Sequence, residues 1–161
     1  MKKYAIELKW GVLFTIMSLL WMMLEKGLGW HDELIGKHHI YTNFVAIPAI
    51  AFYIIALIDK RQNYYDGLMT YKQGFLSGLI ISLVVMVLSP LTQVITSLYI
   101  TPNYFENVIH HVVANNQMTL EEAENYFNLS NYILQSAMFA PLMGIITTAL
   151  VAIFVKRKAK T

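Results

Sequence analysis

Apolar residues fall into four blocks along the chain: Ala5 to Leu24, His39 to Ile58, Gly74 to Ile100 and Tyr132 to Val155. Polar segments separate them at 25–38, 59–73 and 101–131. A hydrocarbon core of about 30 Å is crossed by about 20 helical residues. The pattern therefore predicts four membrane-spanning helices, the third long enough that it must tilt, kink or protrude. The third polar segment is too long for a bare loop. After Pro102, Tyr104, Phe105, Val108, Ile109, Val112 and Val113 recur at helical spacing and predict an amphipathic helix. Asn115 and Asn116 end it. Thr119-Leu120-Glu121-Glu122 has the capping-box pattern and starts a second helix running to about Asn128, with Glu121, Glu122 and Glu124 near its N-terminus. The expected fold is all-α: a four-transmembrane-helix bundle in a single domain (residues 1–161), with a helical hairpin over 103–128 between the third and fourth spans.

Composition decides between membrane and solution. Hydrophobic residues make up 57% of the chain and charged residues 14%, against about 25% charged in ordinary soluble domains. The N-terminus, two lysines and then an apolar run, resembles a signal peptide. The run ends in Trp21, Met22, Met23 and Leu24 with no small-residue cleavage site, so it reads as a retained first span. The absence of Cys excludes disulfides, thiolate metal sites and cysteine nucleophiles.

Charge sets the expected direction of insertion. Lys2, Lys3, Lys9, Lys60, Arg61, Lys72, Lys156, Arg157, Lys158 and Lys160, ten of the twelve basic residues, fall on one side of a four-span layout. The positive-inside rule places that side, with both termini, in the cytoplasm. The predicted hairpin is then extracytoplasmic. These basic residues suit anionic lipid headgroups, so membrane lipids are expected partners and nucleic acid is not.

Within lipid, close backbone approach and interhelical hydrogen bonds drive packing. Gly74, Gly78, Ser82, Ser89, Gln93 and Thr96 make a small-residue stripe on the third span. Ser136, Ala140, Gly144, Thr148 and Ala152 make one on the fourth at four-residue spacing, and the two are expected to face each other. Pro48, Pro90 and Pro141 each remove an N–H within a span and leave a carbonyl to be satisfied. Near them lie Asn43, Ser89, Gln93, Gln135 and Ser136. One reading is that these polar groups serve the kinked backbone. The sharper one is a small polar cavity, open to the outside, that binds or passes a neutral solute. No charge lies deep in any block, which counts against proton pumps and voltage sensors.

All five histidines, His31, His38, His39, His110 and His111, fall on the predicted outer side. Neighbouring residues on a helix diverge by about 100°. His110 and His111 therefore cannot easily share one ion, and neither can His38 and His39. Only a mixed metal site would work, drawing on His31, Asp32 or Glu33 with one histidine from each pair. No dense ligand spacing such as HExxH supports it. No cofactor is expected, and there is no nucleophile elbow or phosphate-binding loop.

Lys9-x-Gly11, Tyr71-Lys72-Gln73-Gly74-Phe75, Tyr99-Ile100-Thr101-Pro102 and Met118-Thr119-Leu120-Glu121-Glu122 are the motifs through which the chain resembles a bacterial family of small four-helix membrane proteins classed as a domain of unknown function. The resemblance covers nearly the whole chain. It implies a four-span protein of a Gram-negative inner membrane, and no reaction, ligand or catalytic residue. The expected role is non-enzymatic, through self-association or as an accessory subunit of a membrane-protein partner. The alternatives are the outward-facing solute site and, weaker, a membrane enzyme using an outer histidine–carboxylate site.

Overall fold

A computed structural model of the chain describes residues 3–157, and Lys2, Lys158 and Lys160 lie outside them. The described residues are helical throughout, apart from turns and an isolated antiparallel bridge between Met69 and Arg157. In order, the helices are α1 (Ala5–Gly27), α2 (His38–Tyr41), α3 (Ala46–Asn63), α4 (Tyr71–Ile95), α5 (Tyr104–Ala114), α6 (Leu120–Tyr126) and α7 (Leu129–Val155). Short 3₁₀ turns at Ile35–Lys37 and Thr42–Val45 join α2 to its neighbours, so Ile35–Asn63 is one helical run. A π-helical turn, Thr96–Ile100, extends α4. Four stretches are long and apolar enough to cross a membrane: Ala5–Gly27, Ile35–Asn63, Tyr71–Ile100 and Leu129–Val155.

The helix starts show why the elements begin a few residues before the apolar blocks. At α4, the Thr70 hydroxyl accepts from the Gln73 N–H and the Gln73 side chain accepts from the Thr70 N–H. Thr119 and Glu122 make the same reciprocal pair at α6. The Asn128 side chain accepts the Asn131 N–H at α7. Each satisfies backbone donors that a helix start leaves open. α6 stops at Tyr126, two residues short of the expected Asn128. Pro90 and Pro141 lie inside continuous helices, whereas Pro48 falls in the first turn of α3, just past a 3₁₀ turn.

α4 and α7 form the most extensive helix pair, with α1 packed on α4 and α3 filling in between α1, α4 and α7. A Cβ built on Gly78 would lie 2.3 Å from Thr148 Cγ2, and one on Gly144 would lie 2.1 Å from Ser82 Oγ. Backbones therefore approach through these glycines. Ser82 Oγ, which donates to the Gly78 carbonyl, also pairs with Tyr53 Oη at 2.8 Å, bringing α3 to the same contact. Of the other members of the α7 stripe, Ser136 and Ala140 are half-buried and Ala152 is buried. Toward the chain termini, Tyr53, Leu57, Met69, Ile81 and Val155 form the main apolar core. At the opposite end α5 and α6 pack around Val108, Val112 and Ala123, with Ile35, Met118 and Phe127 against them. Most of the span surface stays uncovered: Val87 is 71% exposed, Ile47 70% and Phe154 84%.

Candidate functional site: a carboxylate between two imidazoles

At the end of α1 nearest α5, the chain reverses. Gly29 takes a left-handed φ of 73°. Its N–H donates to the Lys26 carbonyl at 3.1 Å, and the Trp30 N–H donates to the Glu25 carbonyl at 3.0 Å. This is a Schellman ending, which glycine favours because a side chain there is strained. The turn brings His31 back over the last turn of α1, onto Glu25.

Glu25 is fully buried, and its two oxygens are used differently. Oε1 accepts the indole N–H of Trp21, one turn earlier on α1. Oε2 meets His31 Nε2 at 2.9 Å and His38 Nε2 at 3.1 Å. His31 is 1% exposed, and the His38 side chain 17%. His38 opens α2, so the three groups come from a helix end, a turn and a helix start. Their potential ligand atoms lie within 4.8 Å of one another.

α5 closes the centre. Tyr104 Oη is 3.3 Å from His38 Nδ1 and 3.3 Å from Tyr132 Oη on α7. The Tyr104 ring stands edge-on to both imidazoles, and burial raises its hydroxyl pKa above the ordinary phenol value. One turn further on, Asn107 Nδ2 donates to the His31 carbonyl and to Asp32 Oδ1, both at 2.9 Å. Asp32 Oδ2 is engaged by Lys26 at 2.7 Å. The ammonium of Lys26, next to Glu25 in sequence, is thus paired with Asp32, and no Lys or Arg bonds to Glu25 among the described residues. His31 Nδ1 is buried without a partner.

The histidines singled out from sequence divide. His31 and His38 converge on Glu25. His39 is exposed on the far side of the same turn. His111 lies over Gly36, where a Cβ would meet its ring at 2.7 Å, and Asn115 donates to its carbonyl. His110 is exposed and lines two clefts of about 660 and 500 Å³ on the α5–α6 end, with Glu106 shared between them. Asp32 belongs to the Lys26 and Asn107 contacts. Sequence reasoning placed none of Glu25, Trp21, Tyr104, Asn107 and Tyr132 in a candidate site. The usable signal was Gly29 just past a helix end, which folds the following residues back.

The polar residues near the prolines lie apart from one another's bonds. The Asn43 amide donates to the His39 carbonyl, Ser89 to Met86, Ser136 to Ile133, and Gln93 to the Ser97 hydroxyl on the next turn. Gln135 is half-buried. Neither cleft is lined by any of the five.

A second buried cluster occupies the other end of α1. Lys60 Nζ is 2.8 Å from Glu7, donates to the Lys3 carbonyl at 2.7 Å and sits 3.7 Å from the centroid of the Tyr64 ring. The Ser77 hydroxyl donates to Glu7 at 2.8 Å.

These features define an all-helical protein with four long apolar helices, compatible with an integral membrane protein. A family model described as "Protein of unknown function (DUF4199)" matches residues 9–157, and the chain belongs to that family. No curated protein and no solved structure matches the chain.

Proposed function

We propose that the chain is a non-enzymatic integral membrane protein of the bacterial inner membrane. Its termini lie in the cytoplasm and its α5–α6 head faces outward. Its work is binding, with the Glu25–His31–His38 centre as the working part of that head, either alone or as an accessory or self-associating subunit. The observation that carries this reading is the contrast between surfaces. The four long helices leave large side chains such as Val87 and Phe154 uncovered, while the head encloses a carboxylate and an imidazole more deeply than most of its apolar residues. Buried polar groups of this kind are expensive unless they are satisfied or used.

Sidedness is tested by labelling. The chain has no cysteine, so Gln117→Cys, in the exposed α5–α6 connection, and Lys156→Cys, past the end of α7, report separately. In spheroplasts a membrane-impermeant maleimide labels the first directly and the second only after permeabilisation. The reverse pattern refutes the orientation, and recovery of the chain in the soluble fraction refutes insertion. The neutral-solute alternative has less support. Four of its five residues spend hydrogen bonds on their own helices, a use that leaves less capacity for a ligand.

A further inference from the structure

We propose that Glu25, His31 and His38 bind a divalent transition-metal ion, with Zn²⁺ as the reference occupant. The proposal rests on the reading of this centre as the working part of the head and names its ligand class.

The geometry needs little change to accept an ion. Glu25 Oε2 lies 2.9 Å from His31 Nε2 and 3.1 Å from His38 Nε2. In a tetrahedral zinc site with bonds of about 2.0–2.1 Å, neighbouring ligand atoms stand roughly 3.3 Å apart. An ion replacing the protons between these atoms therefore opens the two carboxylate–imidazole pairs by a few tenths of an ångström, and the two imidazole nitrogens already lie within 4.8 Å of each other. Two imidazoles and one carboxylate form a borderline-hard donor set. It suits Zn²⁺, Fe²⁺ or Mn²⁺ better than Ca²⁺ or Mg²⁺, which favour oxygen ligands alone. Three protein ligands leave at least one coordination position for water or a fourth donor.

The surroundings hold two of the three ligating groups, Glu25 and His38, as metal sites require. A metal-bound imidazole normally hydrogen-bonds through its other nitrogen. For His38 that partner is Tyr104 Oη. The Trp21 indole fixes the carboxylate through Oε1 and leaves Oε2 for the ion. Asn107 fixes the His31 backbone rather than its ring. Tyr104, Trp21 and Asn107 are positioning residues. Charge points the same way. Lys26, the ammonium closest in sequence, is engaged by Asp32, so the buried Glu25 carboxylate has no permanent cation, and a dication supplies one.

The test uses the full chain in detergent micelles, stripped with a chelator and titrated with Zn²⁺ and Co²⁺. One ion per chain is expected, with visible Co²⁺ bands of nitrogen–oxygen ligation and a rise in Tm. Glu25→Gln and His38→Gln each weaken binding at least 100-fold. Tyr104→Phe weakens it about 10- to 100-fold, the usual effect of losing an outer-shell partner, while keeping the Co²⁺ bands. His39→Gln and His110→Gln bind as the parent does. Should Glu25→Gln not fold, His38→Gln carries the test, because its imidazole sits at the edge of the centre. Its Tm must then lose the Zn²⁺ response while its far-ultraviolet spectrum stays helical. The proposal is overturned if the parent chain takes up neither ion stoichiometrically, or if His38→Gln binds as tightly as the parent. These readings do not depend on sidedness. Binding without outward labelling removes the orientation alone, and outward labelling without binding removes the metal alone.

Discussion

Gly144→Ala asks whether α4 and α7 are held together by contact between backbones. The added methyl would lie 2.1 Å from Ser82 Oγ, 2.6 Å from Ser82 Cβ and 2.9 Å from Tyr53 Oη. No side chain in this set can swing into open space, because Ser82 is 1% exposed and Tyr53 4%. Forcing a methyl into such packing costs typically about 1–3 kcal/mol. Moving Ser82 also breaks its 2.8 Å bond to Tyr53, worth about 0.5–1.5 kcal/mol. Alanine returns about 0.5–1 kcal/mol as the better helix former. The net expectation is a loss of about 2 kcal/mol. Gly78→Ala meets Thr148, β-branched and therefore stiff, at 2.3 Å, and should lose about 1 kcal/mol after the same helix-propensity gain. In Gly78→Ala/Thr148→Ala, the second change removes the two nearest clashing atoms, so the pair should be non-additive by at least about 0.5 kcal/mol. Gly27 supplies the control. Nothing lies within 4 Å of its Cβ position, so Gly27→Ala should be neutral or slightly stabilising. Unfolding by SDS titration of the micelle-bound protein, followed by tryptophan fluorescence, ranks the variants. Equal stability of Gly78→Ala, Gly144→Ala and Gly27→Ala would refute close packing of the two helices.

Other perturbations address single contacts. Lys60→Met strands the Glu7 carboxylate among Ser77 and apolar neighbours and should cost about 3–5 kcal/mol, whereas Lys60→Met/Glu7→Leu should recover most of that loss in the same titration. Thr70→Ala removes the α4 cap and should cost about 1 kcal/mol. The Thr119 N–H and hydroxyl hold the Glu122 carboxyl below its ordinary range. Its contribution to α6 is complete above the ordinary Glu value of about 4.3 and is lost as pH falls through the lowered one. Amide protection at the start of α6 should fall on acidification in the parent and stay level in Glu122→Gln, which keeps the box without the charge; an equal fall in both would refute this.

Much of the bundle was legible because it is local. Four apolar blocks, the amphipathic spacing from Tyr104 to Val113 and the Thr119 cap need only neighbours within a few turns. Element limits were less legible where a cap lies outside the apolar run. Thr70 starts α4 four residues before Gly74, and the helical run ending in α3 begins at Ile35 rather than His39. The centre was the hardest part. Glu25 and His31 are six residues apart, a spacing that matches no single helix face, and they meet only because Gly29 reverses the chain. Tyr104 and Asn107 make contacts across 66 and 75 positions of sequence, and no local period encodes that. The 100° divergence of neighbouring helix positions did apply to His38 and His39. One turns to Glu25 and the other to the surface, which leaves a single imidazole of the pair for the centre.

The two buried carboxylates of α1 also bear on the membrane reading. Glu7 and Glu25 are 18 positions apart on one helix, about 27 Å at about 1.5 Å per residue. That is close to the roughly 30 Å of a hydrocarbon core. Each therefore falls near one edge of the proposed bilayer, where water lowers the cost of reaching the buried state. Between them the bundle interior holds neutral pairs such as Tyr53 with Ser82. The edges differ in what answers the charge. At the edge near the chain termini a lysine, tethered by a backbone carbonyl and an aromatic face, is paired with Glu7. At the opposite edge two imidazoles meet Glu25, and an imidazole, unlike an ammonium, is also a common metal ligand. A permanent ion pair suits an anchor, and an exchangeable partner suits a binding centre. His31→Lys tests this: the new ammonium should pair with Glu25 and abolish Zn²⁺ uptake while leaving the helices assembled, and undiminished uptake would refute it.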